Sequence, residues 1–269
     1  MAELPVIVAW PRVGRFVYAG AALALGLIGL HWGDFAIVWQ PVPPSLPHRV
    51  ALAYVAALLL ALGGAATFDR RSARVGAVAL GLVFVAVSLP WLRRVVHYPR
   101  LAGTWLGFFE EFSLVLAAVA VYVTTRRARD PRVHTESRVI LSARRLFGVC
   151  ALSFGVAHFA ALPQTAAMVP AWLPPNQRFW AIVTGTCHLL AGAALISGIA
   201  ATLAARLLAL MLVGFGVLVW APNLVAAPGA HMTWAGNAVN LAIAGAAWVI
   251  ADATAPSERA ERTSRTRPL

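Results

Sequence analysis

Eight apolar runs, parted by short polar or proline-rich breaks, set the rhythm of the chain. They cover roughly 14–33, 50–67, 74–92, 104–124, 145–162, 179–198, 205–222 and 234–252. Each is close to the ~20 residues that a helix needs to cross a bilayer. Ala, Leu and Gly dominate the runs, which are continuous rather than alternating, so they predict helices and not barrel strands. The expected fold class is all-α: a polytopic membrane protein with eight transmembrane helices. Two breaks, "GDFAIVWQPVPPSLPHR" and "PQTAAMVPAWLPPNQRFW", are rich in Pro and Trp and poor in charge. Proline clusters cannot continue a helix, and tryptophan favours the headgroup level. These segments are expected at the outer interface, either as caps over the bundle or as tight connectors with aromatic anchors.

The pattern repeats. "LALGLIGLHWGDFA" around His31 aligns with "CALSFGVAHFAALP" around His158, and "YPRLAGTWLGFFEEF" aligns with "APGAHMTWAGNAVNL". The alignment pairs Thr104 with Thr233, Trp105 with Trp234, Gly107 with Gly236, Arg49 with Arg178, Gly63 with Gly192 and Pro90 with Pro222. An internal repeat fixes architecture before any residue is read for chemistry. Two four-helix units are expected, 1–124 and 145–252, joined by an Arg-rich linker at 125–144 and followed by a polar, disordered tail at 253–269. Four spans per unit is an even number, so both units enter from the same side. They are expected to be parallel repeats about an axis along the membrane normal.

Composition sharpens this picture. Hydrophobic residues make up 60% of the chain and charged ones 12%, with a mean hydropathy of +0.76. That excludes a soluble domain of this length. The net charge of +12 does not point to nucleic acid, because the charges sit in short clusters between the apolar runs. All 22 basic residues other than histidine are arginine, and 17 of them fall in the termini and alternate breaks that share one side. The other side holds Arg49, Arg93, Arg94, Arg100 and Arg178. This split predicts both termini in the cytoplasm. The N-terminal "MAELPVIVAWPRVGR" is short, contains Glu3 and leads straight into the first run, which is expected to act as an uncleaved anchor. Cys150 and Cys187 lie inside apolar runs without a CxxC partner, so neither a disulfide nor a metal site is expected.

The second half resembles the DoxX-like family of small bacterial membrane proteins, four-helix units often found singly. The resemblance rests on "RRLFGVCALSFGVAHFA", "VPAWLPP", "FWAIVTGTCHLLAGAALISG" and "ARLLALMLVGFGVLVWAP". The first half shares it through the repeat, as in "PVPPSLPHR" and "LALGGA". In many relatives a Glu precedes the "LAG" of the second helix; here that position is His188. The resemblance implies a doubled four-helix unit in a bacterial inner membrane. It implies little about reaction, although some relatives are membrane subunits linked to sulfur oxidation and quinone reduction.

Ionisable groups inside spans are costly, so the few present are candidates for function. Glu110 and Glu111 lie in the fourth run and point about 100° apart, so one at most faces a cavity squarely. Proton handling, headgroup binding, or an ion pair with Arg93, Arg94 or Arg100 are the roles open to them. His31 and His158, as repeat mates, could ligate one haem, but hydrogen bonding to loop backbone accounts for them more simply. His188 lies near the midplane. Trp39, Trp91, Trp105, Trp172, Trp180, Trp220 and Trp234 cluster near outer span ends, where an aromatic belt or a sandwich around a quinone ring explains them. Asn237 and Asn240 suit interhelical hydrogen bonds. A pocket is therefore expected beneath the two Pro/Trp loops, lined by His31, Trp105, Glu111, His158, Trp234 and Asn240. Walker, GxGxxG, HExxH and CxxCH motifs are missing from the sequence. The functions in play are a quinone-linked membrane redox subunit, a transporter or binding protein for a small lipophilic molecule, and a non-catalytic scaffold.

Overall fold

The computed structural model describes residues 12–127 and 136–255. Eight helices in it are long and apolar enough to cross a membrane, and no strand occurs among the described residues. In chain order the helices are α1 (Gly14–Trp32), α2 (Arg49–Phe68), α3 (Ala73–His97), α4 (Ala102–Arg127) and α5 (Glu136–Ala160). After a short α6 (Leu162–Met168) come α7 (Gln177–Ser197), α8 (Ala201–Phe215), α9 (Ala221–Ala226) and α10 (His231–Thr254). A π-helical turn, Gly216–Trp220, joins α8 to α9, so these three pieces form one span.

Local chemistry sets the ends. Gly33 closes α1 in the left-handed region (φ 63°), with its N–H donating to the Gly29 carbonyl, a conformation that glycine adopts without steric cost. The Asn176 side chain caps α7 by accepting from the Phe179 N–H. Helix also enters the expected linker from both sides, since α4 runs to Arg127 and α5 begins at Glu136. Hydropathy marks where the bilayer is, and charged residues do not break a helix outside it. The remainder of that linker, 128–135, lies outside the described residues, as does most of the expected tail.

Within the first half α1 packs on α2, α2 on α3 and α3 on α4; within the second, α5 packs on α7, α7 on α8 and α8 on α10. Across the halves α1 meets α10, α5 meets α4, and α4 meets α10. The core follows this seam and includes Tyr18, Phe84, Leu114, Phe147, Leu208 and Ile250. Tyr18 satisfies its buried hydroxyl by donating to the Leu114 carbonyl at 2.9 Å. The Gly14 N–H donates to the Asp252 carboxylate at 3.0 Å, which brings the two ends of the bundle's chain together. The opposite end is called distal below.

Some local geometry recurs between the halves. Trp105 Nε1 donates to the Pro99 carbonyl at 2.9 Å, and Trp234 Nε1 to the Pro228 carbonyl at 2.8 Å. The Thr104 and Thr233 hydroxyls each donate to the carbonyl three residues back, Leu101 and Ala230, at 2.8 Å. The Trp91 ring lies so close to Gly107 that a Cβ there would come within 2.3 Å of it, and Trp220 lies likewise against Gly236, at 2.2 Å. Trp91 and Trp220 thus hold equivalent seats. Pro90 precedes the one and Pro222 follows the other, so the expected Pro90–Pro222 pairing does not match this packing.

The first Pro/Trp loop, 33–48, has no helix, yet it buries Phe35, Ala36, Trp39 and Val42 against the distal end. An Arg49–Asp34 ion pair and an Arg49 hydrogen bond to the Val42 carbonyl tie it to the start of α2. The second loop carries α6.

Candidate functional site

A half-open cavity of about 390 Å³ lies beneath the distal end, largely within the second half. That is a size suited to a small molecule. Its wall comes from α5 (Phe154, His158), α7 (Trp180, Thr184, His188), the α8–α9 span (Phe215, Trp220) and α10 (Asn240). The first half closes it with Glu110 and Leu106 of α4 and with Trp39 of the loop. Trp39 and Trp220 meet edge to face at 5.7 Å between ring centroids.

The polar groups are few and placed by helix geometry. His158 and Phe154 are one turn apart on α5, and His158 Nδ1 lies 2.7 Å from the Phe154 carbonyl oxygen. A carbonyl only accepts, so Nδ1 carries the proton, and in the neutral ring Nε2 is left as an acceptor. His188 lies ten residues into the span from Arg178, ~15 Å along the helix. It is 1% exposed, its Nδ1 has no hydrogen-bond partner, and its ring centroid is 4.9 Å from that of His158. Phe154 meets His188 edge-on at 5.6 Å, and Phe215 approaches at 6.2 Å. Asn240 spends its Nδ2 on the Leu212 carbonyl at 2.9 Å. The π turn sits beside it, and such turns recur at functional sites because they disturb the regular backbone ladder. Asn237 Nδ2 donates to the Trp220 carbonyl at the end of that turn, at 2.8 Å.

Of the two adjacent glutamates, Glu110 lines the cavity and Glu111 does not. Glu111 is 1% exposed and its Oε2 has no hydrogen-bond partner. No ion pair among the described residues joins either glutamate to Arg93, Arg94 or Arg100.

The expected pocket residues divide. His158 and Asn240 line the cavity. His31, Trp105, Trp234 and Glu111 do not. His31 is exposed and packs edge-on to Trp32, which in turn stacks on His231 at 5.0 Å. Trp105 and Trp234 are exposed, their indole N–H groups held by backbone carbonyls. His31 and His158 do not face a common cavity. In the α1–α2 crossing, Gly29 faces Ala57; in the α5–α7 crossing, the His158 Cβ faces Gly185. Glu110, the other candidate acid, lines the cavity, as do Trp39, Trp180 and Trp220 of the outer tryptophan cluster; His188 joins them although the sequence places it only near the midplane. The spacing of Thr184 and His188, one turn apart on an otherwise apolar run, was the available signal. Among the described residues no group of three or more His, Cys, Asp or Glu side chains is arranged to hold a metal.

Residues 139–221, less than a third of the chain, match the family model named DoxX, so this segment is similar to a DoxX domain, within a chain whose eight long apolar helices make it a multi-pass membrane protein. No curated protein and no solved structure matches the chain.

Proposed function

We propose that the cavity binds a small lipophilic molecule with a flat, hydrogen-bonding head, of quinone type. The observation that carries this reading is His188: a wholly buried imidazole with an unpartnered nitrogen, lining a cavity. A buried polar atom without a partner costs free energy that a ligand can recover. The remaining wall suits the same ligand. Trp39, Trp180 and Trp220 offer flat apolar faces, and Glu110, His158 Nε2 and the Asn240 carbonyl oxygen offer polar contacts. In this reading the protein is the quinone-holding subunit of a membrane redox assembly, with electrons supplied by a partner that carries the redox centre. Its halves are tandem four-helix repeats in a bacterial inner membrane with both termini cytoplasmic, as the arginine distribution favours.

The test is a titration of the purified protein with decylubiquinone, read by quenching of tryptophan fluorescence. Wild type is expected to quench saturably. His188→Leu should weaken binding about tenfold, the loss of one buried hydrogen bond to the ligand. Quenching that never saturates, or that His188→Leu and Glu110→Gln both leave unchanged, overturns the quinone reading.

A further inference from the structure

A second, larger space lies on the other half of the molecule, on the outside of the bundle. It is a groove of about 840 Å³ between α2 and α3, running from the distal end toward the middle of the spans. Its origin is a splay of the two helices. Near the far end of the pair they touch: a Cβ on Gly76 would lie 2.5 Å from the Gly63 carbonyl oxygen and 2.4 Å from the Thr67 hydroxyl. Toward the distal end they part, and the 33–48 loop roofs the gap with Pro41, Pro43, Pro44 and Leu46. Pro90 lies in the wall and has no N–H to return to the Ala86 carbonyl, so the α3 ladder is interrupted within the groove.

The sides of the groove are aliphatic. Leu52, Val55, Leu59, Leu82 and Leu89 line it and stay largely exposed, as side chains facing acyl chains do. The mouth is cationic. Arg93, Arg94 and His97, on the last turns of α3, rim the distal end, with Tyr98 beside them. No ion pair among the described residues engages either arginine. Arg94 lies over the Trp91 ring at 4.9 Å, and the His97 Nδ1 is 2.8 Å from the Arg93 carbonyl, so the rim is held in place by packing rather than by an acid. From Leu82 to Arg93 the α3 wall of the groove spans eleven residues, ~17 Å along the helix and about half the hydrocarbon thickness of a bilayer.

We propose that this groove is a binding site for an anionic glycerophospholipid from the leaflet at the distal end. The phosphate sits against the Arg93 and Arg94 guanidinium groups, and an acyl chain follows the Leu52–Leu59 side of α2 downward. Charge complementarity selects an anionic lipid: two arginines outside any ion pair among the described residues stand at headgroup level above an apolar channel about one leaflet deep. Basic clefts between transmembrane helices hold lipid headgroups by the same physics.

Native mass spectrometry of the detergent-purified protein tests this. The protein is incubated with phosphatidylglycerol or with phosphatidylcholine of identical chains. Phosphatidylglycerol adducts are expected to survive delipidation preferentially. Arg93→Gln/Arg94→Gln should reduce that preference about tenfold. Both positions are exposed, so the variant keeps its core, and an unchanged helical circular dichroism spectrum verifies this. Ala86→Trp, which fills the groove, should lower the retention of both lipids while leaving decylubiquinone quenching unchanged. Equal retention of the two lipids overturns the proposal, as does a double variant that keeps wild-type preference. Displacement of phosphatidylglycerol by millimolar inorganic phosphate also overturns it, because it would leave the apolar groove without a part in binding.

Discussion

At the scale of single residues the least expected result concerns Glu110 and Glu111. The sequence shows two acids in one apolar run, and a helix turns them about 100° apart. Which of them meets a cavity depends on where α5 and α10 lie against α4, and no pattern within α4 contains that. The histidines show the same limit. Two residues of drift in an alignment turn a side chain by about 200° around a helix, from interior to lipid. His158 lines the cavity, whereas His31 lies on the surface. Glu111 carries a prediction. Its Oε2 is buried without a partner, and burying such a group costs ~1–3 kcal/mol by mutational measures. Glu111→Leu, close in volume, is expected to raise stability by about that amount, seen as a higher melting temperature in detergent. A lower melting temperature would show that the carboxylate is satisfied and holds the core together.

At the scale of helices, length and apolar continuity were enough to find all eight spans, because a bilayer imposes one length on every helix that crosses it. The register between helices was legible only where small residues meet large ones. Gly107 and Gly236 accept the faces of Trp91 and Trp220, and each contact locks a pair of neighbouring helices, α3 with α4 and α10 with the α8–α9 span. A new Cβ at either glycine would overlap a rigid indole that cannot move aside as a flexible chain would. Gly107→Ala and Gly236→Ala are each expected to cost ~1–3 kcal/mol through overpacking, measured by thermal unfolding. Rescue by the paired changes Trp91→Leu and Trp220→Leu would tie that loss to these two contacts. The π turn had no signature in the sequence. It follows from tertiary packing around Trp220 and Asn240, which hydropathy does not record.

At the scale of the whole molecule, an even number of spans places both ends of the bundle on one side, and the Gly14–Asp252 hydrogen bond joins them there. Single cysteines placed at Arg12 and Ala255, in a variant lacking Cys150 and Cys187, should label with a membrane-impermeant maleimide from the same face of sealed vesicles. A cysteine at Leu46 should label from the opposite face. Labelling of Arg12 and Ala255 from different faces would refute the eight-span topology. The residues matching the family model stop at 221, yet the cavity is closed by α10, by Glu110 and by Trp39. The recognisable domain is therefore an open vessel whose lid and far wall are encoded elsewhere in the chain. Fusing both pieces into one polypeptide makes their stoichiometry independent of expression level. Severed at the linker, the two halves would have to find each other in the plane of the membrane before the cavity walls came together.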